Sequence, residues 1–353
     1  MDFKPLPFLS PLVAYRRQAA ELQLSEADLA QRYAFQDWQA LTEYVTAVTQ
    51  TDSPVQRFES AVEAVIAGDV PALEALLQRY PDLVRARSTR RTNRNLPNHG
   101  ATLLHYIAAN GVEDYRQKTP PNAVEVAKAL LHAGAEPDAL ADMYGEPNTT
   151  MNMLLSSFPP AAAGVQAQLA GTLLDFGASL EGNGGERSPL ITALAFGYLN
   201  TAETLVRRGA RVEILPAAAG LGRIEAARRL LPGAGAESRH EALALAAQHG
   251  HAEIVRLLLD CGEDPNRFNP KGFHGHSTPL HQAALGGHLA VVALLVERGA
   301  KLDIKDTAHG GTPLGWAIHG GRKEIENYLR QHGTGARDEI DQSLENKSFL
   351  ITP

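Results

Sequence analysis

One stretch of the sequence repeats itself, and this repeat restricts the fold more than any other feature. Residues 278–281 read Thr-Pro-Leu-His, and residues 312–314 begin the same pattern again 34 positions later. Self-similarity at a short, fixed period is typical of repeat architectures, in which each repeat contacts mainly its neighbours. The chain length of 353 residues then reflects the number of repeats and not the size of a single core.

Each part of the pattern has a mechanical role in a pair of short helices. Thr278 can cap the first helix, and Pro279 suits its first turn, where no backbone hydrogen bond is lost. Gly287 permits the tight turn to the second helix, whose apolar face comes from residues 291–295. Gly299 can end this helix in the left-handed conformation. The pattern therefore predicts helix-turn-helix units joined by loops, which we call fingers.

This pattern resembles the ankyrin repeat, which has a period of about 33 residues and a Thr-Pro-Leu-His-x-Ala opening. Further copies are recognised at 242–266, 189–209, 215–231 (shortened), 102–135 and 150–178 (both long), and 58–80 (degenerate). The resemblance implies an all-α ankyrin-repeat solenoid of about eight helix-turn-helix repeats with short finger loops.

The chain is similar to ankyrin-repeat proteins of the bacterial type that carry an N-terminal helical cap. Residues 11–24 and 25–48 have apolar positions at helical spacing, and an atypical terminal element is expected to cover the apolar end of a stack. We expect a cap over residues 1–57, an ankyrin-repeat array over 58–335 and a polar tail over 336–353.

The composition restricts the classes of partner and the cellular compartment that we expect for this chain. The net charge of −7 and the pI near 6.0 disfavour general binding to nucleic acid or to anionic membrane. Cys261 is the single cysteine, and the chain has neither a recognisable signal peptide nor an apolar run of membrane-spanning length. We expect a cytoplasmic protein without a cofactor and without contacts to nucleic acid or membrane.

Function has to be sought in departures from the repeat, because the fold by itself supplies only a surface. The sequence has no phosphate-binding glycine loop, no zinc-protease spacing and no nucleophile elbow. The resemblance implies a non-catalytic scaffold that binds a protein or peptide partner. The alternative is a protein that binds a small molecule or anion, even an unconventional enzyme, with a pocket formed by insertions in repeats two and three.

An arginine-rich finger between repeats one and two is the first departure. No acidic residue occurs from position 83 to 112, and guanidinium groups form a planar fork of donors that suits carboxylates and phosphates. A solvated loop is the other interpretation. The candidate binding residues here are Arg87, Arg90, Arg91, Arg94 and His99.

Two insertions and a neighbouring finger form the second group of candidates. Residues 112–122 and 156–165 lengthen equivalent turns, which lie side by side in a stack, so they could form one wall of a site or simply pack together. The finger at 138–148 could offer carboxylates that pair with the arginines or leave a mixed-charge pocket. The candidates are Tyr115, Arg116, Lys118, Asp142, Tyr144 and Phe158.

The finger at 268–276 is the third candidate surface because it carries aromatic and histidine side chains. Phe273, His274 and His276 are expected to contact a partner at its tip. A metal site is not expected there, because His281 is the histidine of the repeat motif and a metal needs further ligands in defined geometry.

Overall fold

Pairs of short helices make up most of this computed structural model, which describes residues 3–92, 95–182 and 188–333. The described residues divide into two compact units, one up to residue 189 and one from residue 190 onward. The boundary between these two units lies within the array expected over residues 58–335. The end of the expected cap, at residue 57, lies within the helix Pro54–Ala67. The expected tail, residues 336–353, lies outside the described residues.

The first unit begins with three helices, α1 (Leu12–Glu21), α2 (Glu26–Arg32) and α3 (Trp38–Thr49). Local capping fixes where they start: Asp28 N–H donates to the Ser25 hydroxyl at 3.0 Å, and Ala40 N–H donates to the Asp37 carboxylate at 2.8 Å. The segment 25–48, which was expected to be part of a helical cap, contains two helices, because Ala34 has a left-handed backbone just after α2.

The N-terminal helices share a core of their own. Tyr15, Leu29 and Leu41 are buried in it, and Trp38 packs against its side. Tyr115, which comes from the insertion in repeat two, packs against the same core. The insertion is therefore held against the N-terminal helices.

The rest of the first unit contains helix pairs with a short hairpin. Its elements are α4 (Pro54–Ala67), α5 (Val70–Arg79), α6 (Ala123–His132), α7 (Thr150–Leu155), α8 (Phe158–Ala162), α9 (Gln166–Asp175), 3-10 helices at Pro81–Arg85, Leu103–Ala108 and Asp114–Arg116, and strands β1 (Ala141–Met143) and β2 (Glu146–Asn148). The inner helix of repeat two is the 3-10 helix Leu103–Ala108, which is followed directly by Ala109 in a left-handed conformation.

The second unit contains five helix pairs among its described residues. They are α10 (Pro189–Ala195) with α11 (Leu199–Arg207), α12 (Leu215–Gly220) with α13 (Ile224–Leu230), α14 (Ala236–Gln248) with α15 (Ala252–Asp260), α16 (Pro279–Gly286) with α17 (Leu289–Glu297), and α18 (Pro313–His319) with α19 (Lys323–His332). A 3-10 turn at Leu231–Gly233 follows α13.

Packing in the second unit follows the repeat. Helices α12, α14, α16 and α18 pack on one another in chain order, and α13, α15, α17 and α19 do the same in the outer layer. The inner helices approach closely because their contact faces are alanine, as at Ala218, Ala246 and Ala283, all fully buried. The expected all-α fold of stacked helix-turn-helix repeats is confirmed.

The residues of the repeat motif adopt the caps and turns that the sequence predicts. His281 Nδ1 lies 2.8 Å from the Thr278 hydroxyl and accepts the Thr278 N–H, while its Nε2 donates to the Gly311 carbonyl at 3.1 Å. Gly287 and Gly299 both have left-handed backbones, with φ of 88° and 87°. His281 is thus a structural residue that joins its own helix to the next finger.

Candidate partner-binding surface

The arginine-rich finger is a narrow hairpin. Arg91 and Asn98 form an antiparallel bridge, and His99 N–H donates to the Arg90 carbonyl at 2.9 Å. Along a hairpin, successive side chains point to opposite faces. Arg90 and His99 are buried, whereas Arg87 is exposed and Arg91 half-buried.

Arg87 links this finger to the next one. Its Nη1 donates to the Gly100 carbonyl at 2.8 Å and to the Leu140 carbonyl at 2.6 Å. Arg91 Nε donates to the Asn98 side-chain oxygen at 3.3 Å. Arg94 lies outside the described residues.

Arg90 extends beneath the finger to the N-terminal helices. Its guanidinium lies 4.0 Å from the centre of the Phe35 ring and 4.5 Å from that of Tyr44, and its Nη2 donates to the Tyr33 carbonyl at 2.7 Å. Its Nε is 3.4 Å from a Glu113 carboxylate oxygen. Arg90 is thus held by aromatic faces and one carboxylate.

Arg116, expected to face a ligand, is instead among the most deeply buried side chains of the molecule. Three carboxylates surround it: Glu59 at 2.5 Å, Glu63 at 3.1 Å and Glu113 at 3.5 Å. Burial by itself raises the pKa of Glu113, but the charges of Arg116 and Arg90 hold that pKa well below its usual range. The arginines therefore balance internal carboxylates, which explains why a buried charge cluster persists here.

The second finger is a two-stranded hairpin with an exposed tip. Strands β1 and β2 pair in antiparallel register and are joined by Tyr144 and Gly145, both with left-handed backbones at φ of 58° and 88°. Two consecutive left-handed residues match the right-handed twist of a two-residue hairpin. Tyr144 is 48% exposed and Leu140, just before β1, is 44% exposed.

Hydrogen bonds fix this second finger from both sides. Asp142 N–H donates to the His99 carbonyl at 2.7 Å, which joins the two fingers edge to edge. The Tyr144 hydroxyl donates to the Asn110 side-chain oxygen at 2.8 Å and accepts the Gly111 N–H at 3.3 Å. Tyr144 therefore reaches from the fingertip to the turn after the inner helix of repeat two.

For the carboxylates of the second finger, the sequence left open whether they pair with the arginines or leave a mixed-charge pocket. Arg87 binds carbonyl oxygens, and Arg116 binds glutamates from the first repeat and the insertion. Asp138 accepts the Ser179 N–H at 2.9 Å, and Asp142 is half-buried.

The two insertions meet at their bases and differ at their tips. The Asn110 amide donates to the Ser156 hydroxyl at 2.9 Å. Tyr115 packs against the N-terminal helices, its ring 5.8 Å from that of Tyr33, and Lys118 is exposed. Phe158, at the start of α8, is 73% exposed. The structure thus places Tyr115 in a core and Phe158 on a surface.

The finger at 268–276 in the second unit folds onto its own repeats. Phe273 and His274 are buried, and His274 Nε2 donates to the Ala195 carbonyl at 3.0 Å. His276 is half-buried with its ring 5.8 Å from that of Trp316. The expected exposed tip is therefore turned inward, because the loop is long enough to reach the end of α10.

Sequence reasoning missed several residues of the first unit that shape these fingers. Glu59, Glu113, Phe35 and Tyr44 surround the buried arginines. A signal was present for Glu59, since it lies on the same face of α4 as the apolar residues Phe58 and Val62. An acidic residue on an apolar helix face requires a buried partner.

Comparisons with known proteins match two parts of the sequence to repeat models. The model described as ankyrin repeats (3 copies) matches residues 211–269 and 269–340, and the model described as ankyrin repeat matches residues 99–142. The cyclin-dependent kinase 4 inhibitor B of Homo sapiens is 35% identical over 127 residues, which cover 35% of this chain and 88% of the inhibitor. This chain belongs to the ankyrin-repeat family.

Other ankyrin-repeat relatives share shorter parts. The human cyclin-dependent kinase inhibitor 2A is 34% identical over 128 residues, covering 35% of this chain and 79% of the inhibitor. The mouse (Mus musculus) ankyrin repeat and SAM domain-containing protein 6 is 41% identical over 97 residues, or 28% of this chain. The chain spans only 11% of the length of that mouse relative.

The ankyrin repeats and these relatives support a role in protein–protein interaction, with proteins as the general class of partner. No helix in the described part of the chain combines the length and the apolar character that a membrane span requires. Among the residues that the structure describes, no three His, Cys, Asp or Glu side chains come together in a way that could hold a metal ion.

Proposed function

We propose that this ankyrin-repeat protein binds its protein partner on the two joined fingers of the first unit, through their described residues 85–92, 95–100 and 138–148. The observation that carries the proposal is the hairpin tip at Tyr144. A bulky residue in a left-handed conformation costs about 1 kcal/mol or more, and such strain tends to persist where it has a role. Here the left-handed backbone of Tyr144 places its half-exposed aromatic ring at the tip of the hairpin.

The chemistry around Tyr144 indicates what the partner offers. Tyrosine and arginine are enriched at the energetic centres of interfaces, and exposed Leu140 supplies apolar area beside the ring. Arg85 and Arg87 are exposed on the neighbouring finger, and Glu146 is exposed beyond the tip. A partner with an apolar centre and an acidic flank would complement this surface.

The second unit offers a weaker alternative. Its longest finger buries Phe273 and His274 against the unit itself, so these side chains contribute stability and not contact area. Phe158 is exposed at the turn of repeat three and would extend the surface if the partner is large.

We also propose a cytoplasmic location, since Cys261 is an exposed free thiol, which suits a reducing compartment.

Quantitative affinity capture from a native lysate tests the proposal. Tyr144→Asn removes the ring but keeps a residue that tolerates the left-handed backbone. Ile318→Ala removes a side chain with similar exposure, 47%, from the second unit and is the matched control. A partner retained by the unmodified protein and by Ile318→Ala, but depleted at least about tenfold by Tyr144→Asn, is expected; that loss corresponds to ~1.4 kcal/mol. Equal retention by all three forms would exclude this surface.

A further inference from the structure

The two fingers of the first unit together form a small antiparallel sheet. The arginine-rich finger has two extended arms, 88–92 and 98–101, joined by the bond from Ser88 N–H to the Ala101 carbonyl at 2.8 Å and by a bridge further along. On its other side the arm 98–101 is bonded to β1, and β1 pairs with β2. Among the described residues, the arm 88–92 is therefore the outer strand of this sheet.

The outer edge of this strand carries unused backbone groups at Thr89. Ser88 N–H and the Arg90 carbonyl both point to the arm 98–101, so Thr89 between them directs its N–H and C=O to the opposite edge. Neither of these Thr89 groups has a hydrogen-bond partner within the part of the chain that the structure describes, and Thr89 is exposed. A strand edge with an unpaired N–H and C=O is a template for another extended chain.

A cavity of about 310 Å³ adjoins this edge. Thr89 lines it, and its apolar wall comes from the N-terminal helices and the start of α4, through Phe35, Ala40, Ala47 and Val55. An engineered cavity of about 150 Å³ is known to hold a benzene ring. The cavity beside Thr89 therefore has room for one leucine or phenylalanine side chain.

The charged groups around the cavity already have partners. Arg90 lies against the Phe35 ring and is paired with buried Glu113, and Arg91 donates to the other arm of the finger. Glu43, at the exposed rim, accepts a side-chain amide from its own helix. Because these charges are compensated locally, a neutral and apolar side chain suits the cavity better than an ion does.

We propose that the protein partner adds an extended segment to the outer edge of the sheet at Thr89 and places one neutral, apolar side chain in the adjoining cavity. The inference rests on the proposed function, since the same sheet carries Tyr144. Thr89 N–H donates to one residue of the added segment, and Thr89 C=O accepts from that same residue. In this mode of recognition, backbone hydrogen bonds give affinity and pockets for alternate side chains give specificity.

Peptide selection on the full-length protein tests the proposal. The probe is a phage library of random linear peptides of about a dozen residues, and selected sequences are resynthesised and titrated by fluorescence polarisation. We expect peptides that share a leucine- or phenylalanine-type anchor and bind with a Kd of about 100 µM or tighter. Recovery of no binding peptide, or of peptides anchored by a charged side chain, overturns the proposal.

Two substitutions at Thr89 separate its backbone from its side chain. Thr89→Pro removes the N–H at a strand edge, where proline is tolerated, and is expected to weaken the selected peptides at least about tenfold. Thr89→Val keeps the N–H and is expected to bind within about twofold of the unmodified protein. Circular dichroism melts check that both variants fold. Equal affinity for Thr89→Pro and Thr89→Val would exclude pairing at this edge.

A second pair of variants tests the cavity and does not depend on how well Thr89→Pro folds. Ala47→Glu places a charge in the apolar wall and is expected to weaken the peptides at least about tenfold. Thr46→Glu, at the exposed neighbouring position on α3 outside the cavity lining, is the control and is expected to leave binding unchanged. Equal affinities in these two variants would overturn the assignment of the anchor to the cavity.

Failure of this inference can be told apart from failure of the proposed function. The lysate capture with Tyr144→Asn is repeated with Thr89→Pro and Thr89→Val. A partner depleted by Tyr144→Asn and by Thr89→Pro, but retained by Thr89→Val, supports both. A partner depleted by Tyr144→Asn and retained by Thr89→Pro would leave the finger surface in place and overturn strand addition at Thr89.

Discussion

Arg116 shows how one residue can organise its surroundings. Its side chain is 2% exposed, and the two buried carboxylates around it come from α4 and from its own insertion. Taking three charged groups out of water is expensive, so the cluster is stable only while each charge keeps its partner. Arg116 thereby fixes the insertion to the first repeat.

We expect Arg116→Met to lower the free energy of unfolding by about 3–5 kcal/mol, because it leaves Glu59 buried without a compensating charge and leaves Glu113 with Arg90 alone. Urea unfolding followed by circular dichroism gives the value. Arg330→Met removes an exposed partner of Glu326 and should cost about 0–1 kcal/mol. Equal costs for the two variants would show that the cluster does not contribute as proposed.

Buried histidines make the second unit sensitive to acid. Burial lowers the pKa of His249, His274 and His281 to about 4 in the folded protein. The unfolded chain, with a pKa near 6.5, therefore takes up protons first, so stability is full above about pH 6.5 and declines toward pH 4. Each histidine contributes up to roughly 3 kcal/mol to that decline.

The pH effect can be assigned to one side chain. With Trp38→Phe, Trp316 remains as the reporter in the second unit, and its fluorescence follows urea unfolding between pH 7.5 and 4.5. In His274→Asn the urea midpoint should decrease less steeply as the pH is lowered, because one titrating group is removed. Ile318→Ala, which changes an exposed side chain that does not titrate, is the control and should keep the original slope. An unchanged slope in His274→Asn would contradict the account.

At the scale of the helix pair, the glycines and histidines of neighbouring turns fit together. A side chain at Gly250 would meet the His288 ring at 2.5 Å, and that ring donates to the Gln248 carbonyl at 2.9 Å. The turn at Gly222 accommodates His251 in the same way. These two turn glycines therefore leave room for the histidine of the next repeat.

We expect Gly250→Ala to be clearly more destabilising than Gly262→Ala. Both glycines have left-handed backbones, φ of 80° and 89°, so both variants carry a strain of about 1–2 kcal/mol. Open space surrounds the Cβ position at Gly262, whereas the hydrogen-bonded His288 ring fills that at Gly250. The overlap should add about 1–3 kcal/mol in urea unfolding. Equal losses would mean that the ring moves aside freely.

The pairs of helices were predictable from sequence because their signals are local. Threonine caps, first-turn prolines and left-handed glycines lie within a few residues of the structure they determine, as at Thr312 and Pro313. The surface was less predictable because burial depends on distant partners. Arg116 meets Glu59 across 57 positions of chain, and His274 meets Ala195 across 79.

At the scale of the whole molecule, the two units use the same repeat differently. The second unit turns its longest finger inward, onto the Ala195 carbonyl. The first unit holds two fingers together through Asp142 and His99 and leaves the ring of Tyr144 at the surface. Regular repeats provide the stability, and departures from the repeat provide the distinctive surface.

Photo-crosslinking tests the central claim most directly. Tyr144 and, in a second variant, Ile318 are replaced by p-benzoylphenylalanine, and each protein is irradiated in native lysate. We predict a covalent protein adduct from position 144 that disappears when excess unmodified protein competes, and no competed adduct from position 318. An adduct at position 318 together with none at position 144 would contradict a partner surface on the fingers of the first unit.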